Sequence, residues 1–113
     1  MIRLVVADDQ PVVRRGLALF LADEDDIEVV GEAANGPEAV RRSHELHPDV
    51  VLMDVLMPKV DGLSATQKIR QQYPETEVLV LTSVLDEVTI SNAVRNGAIG
   101  YLLVGRGFVG HGF

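Results

Sequence analysis

Short apolar segments alternate with amphipathic ones along the chain, and this alternation restricts the fold more than any other feature of the sequence. Five runs rich in valine, leucine and isoleucine are typical of strands: residues 2–7, 27–33, 49–54, 76–83 and 100–104. Four segments with helical periodicity lie between them: residues 8–25, 35–48, 63–73 and 86–97. Strands that alternate with helices form a parallel sheet with helices on both faces. We therefore predict an α/β domain with a doubly wound, five-stranded parallel sheet.

The first predicted helix shows the pattern most completely. Pro11 suits a first helical turn. Val13, Leu17, Phe20 and Leu21 are spaced so that they lie on one helix face, which we expect to pack on the sheet.

The boundaries of the later helices are marked by glycines. The segment 55–62 is predicted to be a loop, with the third helix opening near Gly62. Gly97 is the predicted stop of the fourth helix.

Composition excludes several classes of function. A chain of 113 residues that is 47% hydrophobic fits one globular domain. Its net charge of −7 argues against direct binding of nucleic acid by this chain, because phosphate contacts need clustered Lys and Arg. It has no cysteine for disulfides or thiolate metal sites, and neither a secretory signal nor a membrane-spanning stretch is evident. We therefore expect a cytoplasmic protein.

Polar side chains cluster where the predicted strands end. Asp8 and Asp9 follow the first strand, Asp54 ends the third, and Thr82 and Ser83 end the fourth. Parallel sheets bind ligands outside the carboxyl ends of their strands. Converging carboxylates need a cation or protonation, and oxygen ligands suit Mg²⁺. A carboxylate beside Mg²⁺ can attack phosphorus to form an aspartyl phosphate. Taken singly, each residue could instead cap a helix, start a turn or end a strand.

Several motifs carry a resemblance to a known family. The segments VVADDQPVVRRGL, PDVVLMDVLMPKVDG, VLVLTS and GAIGYLL resemble the receiver domain of two-component response regulators over residues 2–103. The segments DDQPVVRRGLALFL and VVGEAANGPEAV are similar to receivers of the NarL/FixJ type, which usually precede a helix-turn-helix DNA-binding domain. The resemblance implies a CheY-like, flavodoxin-like sheet with strand order 2-1-3-4-5.

The resemblance also implies a role for individual residues. Asp54 would accept the phosphoryl group, and Asp8, Asp9, Asp54 and the backbone carbonyl of Leu56 would bind Mg²⁺. Thr82 would be the switch hydroxyl and Tyr101 the switch aromatic, although Tyr101 could also be an ordinary half-buried strand residue.

The implied function is signalling rather than metabolism. A sensor histidine kinase would donate phosphate, and the chain would catalyse only its own phosphorylation. The face formed by the fourth helix and fifth strand would then change its affinity for partners, with a transcriptional output.

The sequence departs from the family pattern at its end. The family has a lysine where Val104 stands; Lys59 or Arg106 could substitute for it. We place the receiver domain at residues 1–104. Residues 105–113 form a glycine-rich tail that cannot be the usual final helix, because glycine is a poor helix former.

The tail has three possible explanations. We favour truncation or a frame shift after Leu103. Alternatively, Phe108, Val109 and Phe113 fold back as an irregular lid. In the third, a second copy covers the exposed sheet face, which gives a homodimer or a swapped assembly through that face or through the fourth helix–fifth strand face.

Other interpretations remain open. A pseudo-receiver would act as a phosphorylation-independent binding or dimerisation module. An Mg²⁺-dependent hydrolase with an aspartyl-phosphate intermediate is disfavoured, because Leu56 occupies the position of its acid–base residue. His44 and His47, and the arginine pairs 14–15 and 41–42, are expected on solvated helix faces.

Overall fold

The computed structural model describes residues 1–54, 59–82, 95, 97–98, 100–105 and 108–112. The helices in this part of the chain are α1 (Pro11–Ala22), α2 (Gly36–Leu46) and α3 (Lys59–Gln72). The strands are β1 (Ile2–Ala7), β2 (Ile27–Ala33), β3 (Val50–Asp54), β4 (Glu77–Thr82), β5 (Gly100–Gly105) and β6 (Phe108–Gly112). None of the described helices is long and apolar enough to cross a membrane.

The strands form one sheet in the order β2-β1-β3-β4-β5-β6. The pairings among β1 to β5 are all parallel, which confirms the predicted fold class and the order 2-1-3-4-5. The sixth strand, β6, was not predicted. It runs antiparallel to β5, with Val104 opposite Val109. The glycines that disfavour a helix in the tail therefore do not prevent these residues from pairing with the edge of β5.

The sheet is packed on both faces at β1 and β3, as a parallel sheet requires. On one face, β1 and β3 contribute Val5 and Met53 to a cluster that includes Ala65 and Ile69 of α3. On the other face, a second cluster contains Leu4, Val6, Ala18, Leu52 and Leu81. Val51, Leu52 and Met53 of β3 alternate between these clusters and are almost fully buried, which confirms that this strand is enclosed on both sides.

Helix α1 buries a different stripe from the predicted one. Leu17 and Leu21 pack on the sheet beside the buried Ala18, as expected. However, Val13 and Phe20 are exposed, Phe20 by 68%. Together with the exposed Val12 and Leu19, these two residues form an apolar surface that we call the outer face of α1. Apolar residues occur on both sides of this helix, so periodicity alone did not identify the side that meets the sheet.

Helix α3 begins at Lys59, three residues before the predicted opening near Gly62. Gly62 is buried within the helix, and its carbonyl accepts a hydrogen bond from Thr66 Oγ1 at 2.8 Å. The predicted fourth helix lies largely outside the described residues, although Arg95 is helical. Gly97, its predicted stop, has a φ of +107°, which side-chain-bearing residues rarely adopt.

We expect Gly97→Ala to destabilise the fold and Gly16→Ala to stabilise it. A Cβ at residue 97 would have a strained φ and would lie 2.9 Å from Cβ of Arg70, which should cost about 2 kcal/mol. A Cβ at exposed Gly16 in α1 meets nothing within 4 Å and should gain up to about 1 kcal/mol of helix propensity. Urea unfolding followed by circular dichroism measures both. Equal stability of the two variants would contradict this expectation.

Candidate functional site

The acidic residues meet because β1 and β3 are parallel neighbours. Ala7 pairs with Met53, so Asp8 follows β1 at the edge where Asp54 ends β3. Asp8, Asp9 and Asp54 each offer a carboxylate oxygen, and these three atoms lie within 4.8 Å of one another. Asp8 is 2% exposed and Asp54 7% exposed, whereas Asp9 is exposed to solvent. The sequence-predicted acidic cluster is thus present in the structure.

These carboxylates fit a divalent cation. Two of the three are buried, and burying like charges side by side is unfavourable unless a cation or protons neutralise them. The donors are all hard oxygens, the type of ligand that Mg²⁺ prefers. Asp9, which faces solvent, leaves the cluster accessible from outside. The donor set therefore suits Mg²⁺, and the carboxylate of Asp54 belongs to the same set.

Asp8 is held in place through both its backbone and its side chain. Its N–H donates to the carbonyl of Ala33, at the end of β2, at 3.0 Å. Its Oδ1 accepts the N–H of Gln10 at 2.8 Å, an Asx-type bond that leads the chain into α1. Gln10 is the N-cap of α1 and makes no side-chain capping bond of its own. Asp8 is therefore not the cap of α1 that was considered for it; it makes a turn bond before the helix and also belongs to the acidic cluster.

Arg14 contacts the site, which sequence reasoning did not predict. Its side chain is 18% exposed rather than solvated, and Nη1 donates to the carbonyl of Asp8 at 2.8 Å. Its Nε donates to Oε1 of Glu32 at 3.1 Å. Arg15, by contrast, is 68% exposed, as expected for this pair. The signal for Arg14 was its position one turn into α1, four residues after Gln10, which directs it back toward the preceding loop.

The proposed switch residues lie on neighbouring strands. Thr82 ends β4, one residue beyond Leu81, which pairs with Asp54. Tyr101 is in β5 and pairs with Val80. The sheet thus orders Asp54, Thr82 and Tyr101 on three adjacent strands. The side chains of Thr82 and Tyr101 lie outside the part of the molecule that the structure describes, so their predicted roles are not tested.

Three further predicted positions also lie outside the described part of the chain. They are Leu56, Ser83 and Arg106. Lys59 is the first residue of α3, but its side chain is not described either. Val104 occupies β5, where the family has lysine.

His44 and His47 are exposed, as predicted, and do not join the acidic cluster. Their rings contact each other and Tyr73, with centroid distances of 6.0–6.4 Å. Among the residues that the structure describes, no group of three or more potential metal ligands includes either histidine. The exposed-face interpretation therefore holds.

The chain matches a known protein family. The model of the response regulator receiver domain family matches residues 4–103. The chain is 52% identical over 101 residues to the uncharacterized transcriptional regulatory protein YhcZ of Bacillus subtilis, covering 89% of this chain and 47% of that protein. It is 46% identical over 103 residues to the transcriptional regulatory protein LiaR of the same organism, covering 91% and 49%.

The fold is shared with solved receivers. The signal receiver domain of the putative response regulator NarL from Mycobacterium tuberculosis superimposes with a TM-score of 0.84 at 34% identity, covering 90% of this chain and 82% of that chain. The chain spans about half the length of the curated relatives it matches. Family match, identity and fold agree, and the chain belongs to the response regulator receiver domain family, with relatives of the NarL type.

Proposed function

We propose that this chain is a phosphorylation-controlled signalling switch in which Asp54 accepts a phosphoryl group from a sensor histidine kinase. The observation that carries the proposal is the convergence of Asp8, Asp9 and Asp54 at the carboxyl edge of the sheet. Response regulators receive phosphate from histidine kinases, and receiver domains bind Mg²⁺ at such an acidic pocket. The proposal assigns that general activity to specific residues of this chain.

The chemical step is a transfer between two side chains. A carboxylate oxygen of Asp54 attacks the phosphorus of a phosphohistidine, and a P–O bond forms. The P–N bond breaks, its electron pair stays on the histidine nitrogen, and that nitrogen takes up a proton. Asp8 and Asp9, with the carbonyl of Leu56, would hold Mg²⁺ beside Asp54. Bound there, Mg²⁺ would neutralise charge on the phosphoryl oxygens.

The order of the strands supports a route by which phosphorylation of Asp54 would affect β4 and then β5. Thr82 lies on β4, which pairs with β3 on one side and with β5 on the other. Its hydroxyl would donate a hydrogen bond to the new phosphoryl group, and Tyr101 on β5 would change its rotamer as Thr82 moves. The face formed by the predicted fourth helix and β5 would then change its affinity for partners.

Val104 weakens the phosphorylated state in this proposal. The family lysine at this position pairs with the phosphoryl group, and a charge-assisted hydrogen bond of that kind contributes about 1.5–3 kcal/mol. Phosphorylation of this chain should therefore depend more strongly on Mg²⁺ than it does in receivers with the lysine.

A transcriptional output is part of the proposal. The relatives are named as transcriptional regulatory proteins and are about twice as long as the matched region. The net charge of −7 makes this chain a poor surface for DNA phosphates. DNA contact would therefore come from a further domain, and this chain would control it.

A homodimer through the outer face of α1 is the association we favour. Val12, Leu19 and Phe20 are exposed and carry no charge. A two-fold dimer requires a patch that is complementary to itself, and an uncharged apolar patch on one helix meets that requirement. The alternative dimer face, formed by the fourth helix and β5, lies largely outside the described residues.

Asp54→Asn should abolish phosphorylation. After incubation with a small-molecule phosphodonor and Mg²⁺, intact mass spectrometry should show one added phosphoryl group on the natural chain and none on the variant, because an amide cannot replace the attacking carboxylate. Asp25→Asn is the matched control, since Asp25 is an exposed acid between α1 and β2.

Either of two results would count against the proposal. An equal gain of mass in Asp54→Asn would place the phosphate elsewhere. No gain in the natural chain, when circular dichroism shows it folded, would favour the phosphorylation-independent binding module.

Thr82→Ala should still be phosphorylated but should lose the response in β5. The variant keeps all three carboxylates and lacks the hydroxyl that would bond the phosphoryl group. Amide chemical shifts of residues 100–105, recorded before and after phosphorylation, measure the response. Thr82→Ser keeps the hydroxyl and should respond normally. A full response in Thr82→Ala would exclude Thr82 as the switch.

Phe20→Ser should weaken the homodimer, because it removes the largest apolar side chain of the outer face of α1. Sedimentation velocity over a range of protein concentrations measures the shift toward monomer. Gln67→Ser, on the exposed side of α3, is the control for the same new residue. A natural chain that stays monomeric at all concentrations, or a variant that dimerises equally well, would refute this interface.

A further inference from the structure

We infer that Arg14 is a positioning residue for the Mg²⁺ site, which acts by fixing the backbone of Asp8. This inference rests on the proposed function, since it concerns how the acidic pair is held for its ion. Arg14 reaches the loop between β1 and α1 from the first turns of the helix. Its Nη1 donates to the carbonyl oxygen of Asp8 at 2.8 Å.

The bond from Arg14 completes a set of restraints on Asp8. The N–H of Asp8 is tied to Ala33 of β2, and its Oδ1 is tied to the N–H of Gln10. The bond from Arg14 to the carbonyl fixes the third polar group of the same residue. With N–H, C=O and carboxylate all engaged, the peptide unit that joins Asp8 to Asp9 has a defined orientation. The direction in which the two carboxylates leave the backbone follows from it.

Glu32 holds the other side of the guanidinium. Its Oε1 accepts a hydrogen bond from Arg14 Nε at 3.1 Å, and its side chain is 24% exposed. Glu32 precedes Ala33 in β2, so the acid that holds Arg14 adjoins the carbonyl that accepts from Asp8. A planar guanidinium can serve two acceptors at once with fixed geometry, which a lysine ammonium does less well. Arg14 therefore links α1, β2 and the acidic loop.

Arg15 provides a matched comparison in the same helix. It has the same charge and lies 3.4 Å from the other carboxylate oxygen of Glu32. Its side chain is 68% exposed and forms an ion pair with Glu32. A substitution at Arg15 therefore changes net charge and the Glu32 ion pair as one at Arg14 does, without removing the bond to Asp8.

A positioning role for Arg14 and a purely Coulombic role predict opposite changes in Mg²⁺ affinity when Arg14 is neutralised. A cation close to three carboxylates opposes the binding of a second cation, so neutralising Arg14 should strengthen Mg²⁺ binding if its charge were all that mattered. If Arg14 orients Asp8, its loss should weaken Mg²⁺ binding. Removing a group that orients a metal ligand typically costs 10–100-fold in affinity.

Arg14→Gln should raise the dissociation constant for Mg²⁺ about tenfold. Mg²⁺ alone is titrated into the unphosphorylated protein while the amide chemical shifts of Asp8, Asp9 and Asp54 are followed by NMR. Arg15→Gln should leave the constant near that of the natural chain. Arg14→Lys, which keeps the charge but cannot hold both acceptors equally well, should fall between the two. Because no phosphodonor is used, failure of phosphorylation and failure of this inference are distinguishable.

Hydrogen exchange without Mg²⁺ separates positioning from general instability. In Arg14→Gln the amide of Gln10, which bonds Asp8, should exchange faster, while amides of Val51 and Leu52 in β3 keep their protection. Three outcomes would overturn the inference. Arg14→Gln could bind Mg²⁺ as tightly as the natural chain or more tightly, or Arg14→Lys could bind it with the same affinity as the natural chain. The amides of β3 in Arg14→Gln could also lose as much protection as the amide of Gln10. If Arg14→Gln does not fold, the Lys variant decides. A natural chain that binds no Mg²⁺ would also overturn it.

Discussion

Three carboxylates held within 4.8 Å of one another are the constraint on which the rest of this molecule depends. In an unfolded chain Asp54 would separate from the adjacent pair Asp8 and Asp9, and each carboxylate would be hydrated. The fold brings them together and buries two of them, which opposes folding. The remainder of the domain must therefore supply enough stability to hold an unfavourable cluster. It must also hold the cluster in a fixed geometry, because a loose cluster would neither select an ion nor aim a nucleophile.

The buried sheet supplies that stability. Val5, Val6, Val51 and Met53 are fully buried on the two strands that deliver the acids. Each fully buried side chain of this size contributes about 1.5–3 kcal/mol. The parallel register of β1 and β3 cannot shift by one residue without moving these side chains to the opposite face. The same packing that stabilises the core therefore sets the separation of Asp8 and Asp54.

Much of this arrangement could be predicted from the sequence, because it depends on local patterns. Pro11 marked the start of α1, and the unbroken apolar run of β3 marked a strand buried on both sides. The placement of acids after two such strands was enough to predict the cluster. The strand order came from the resemblance to the receiver family, since periodicity alone does not order strands.

What the sequence did not reveal depends on neighbours in space. Phe20 fits the apolar periodicity of α1 and yet lies on the exposed side, because Leu17, Ala18 and Leu21 already meet the sheet. Arg14 and Arg15 are adjacent and chemically identical, but one faces the acidic loop and the other faces solvent. The pairing of β6 with β5 depends on an available strand edge rather than on the propensity of a segment with several glycines. In each case the outcome is decided by a partner distant in sequence.

Arg14 and position 104 differ in what they can do for this site. Arg14 binds the backbone behind the acids and is engaged by Glu32, so its charge is already partly compensated and its bonds to Asp8 and Glu32 restrain it. A lysine at position 104 would instead face a phosphoryl group that arrives later, and Val104 offers no charge there. Stabilisation of the resting site and stabilisation of its phosphorylated form are therefore separable in this chain. In the proposed function, the first depends on bonds among Asp8, Arg14 and Glu32, whereas the second depends on Mg²⁺ more strongly than in receivers that carry the lysine. A rigid acidic loop then becomes more important, because the ion must be held without help from the lysine.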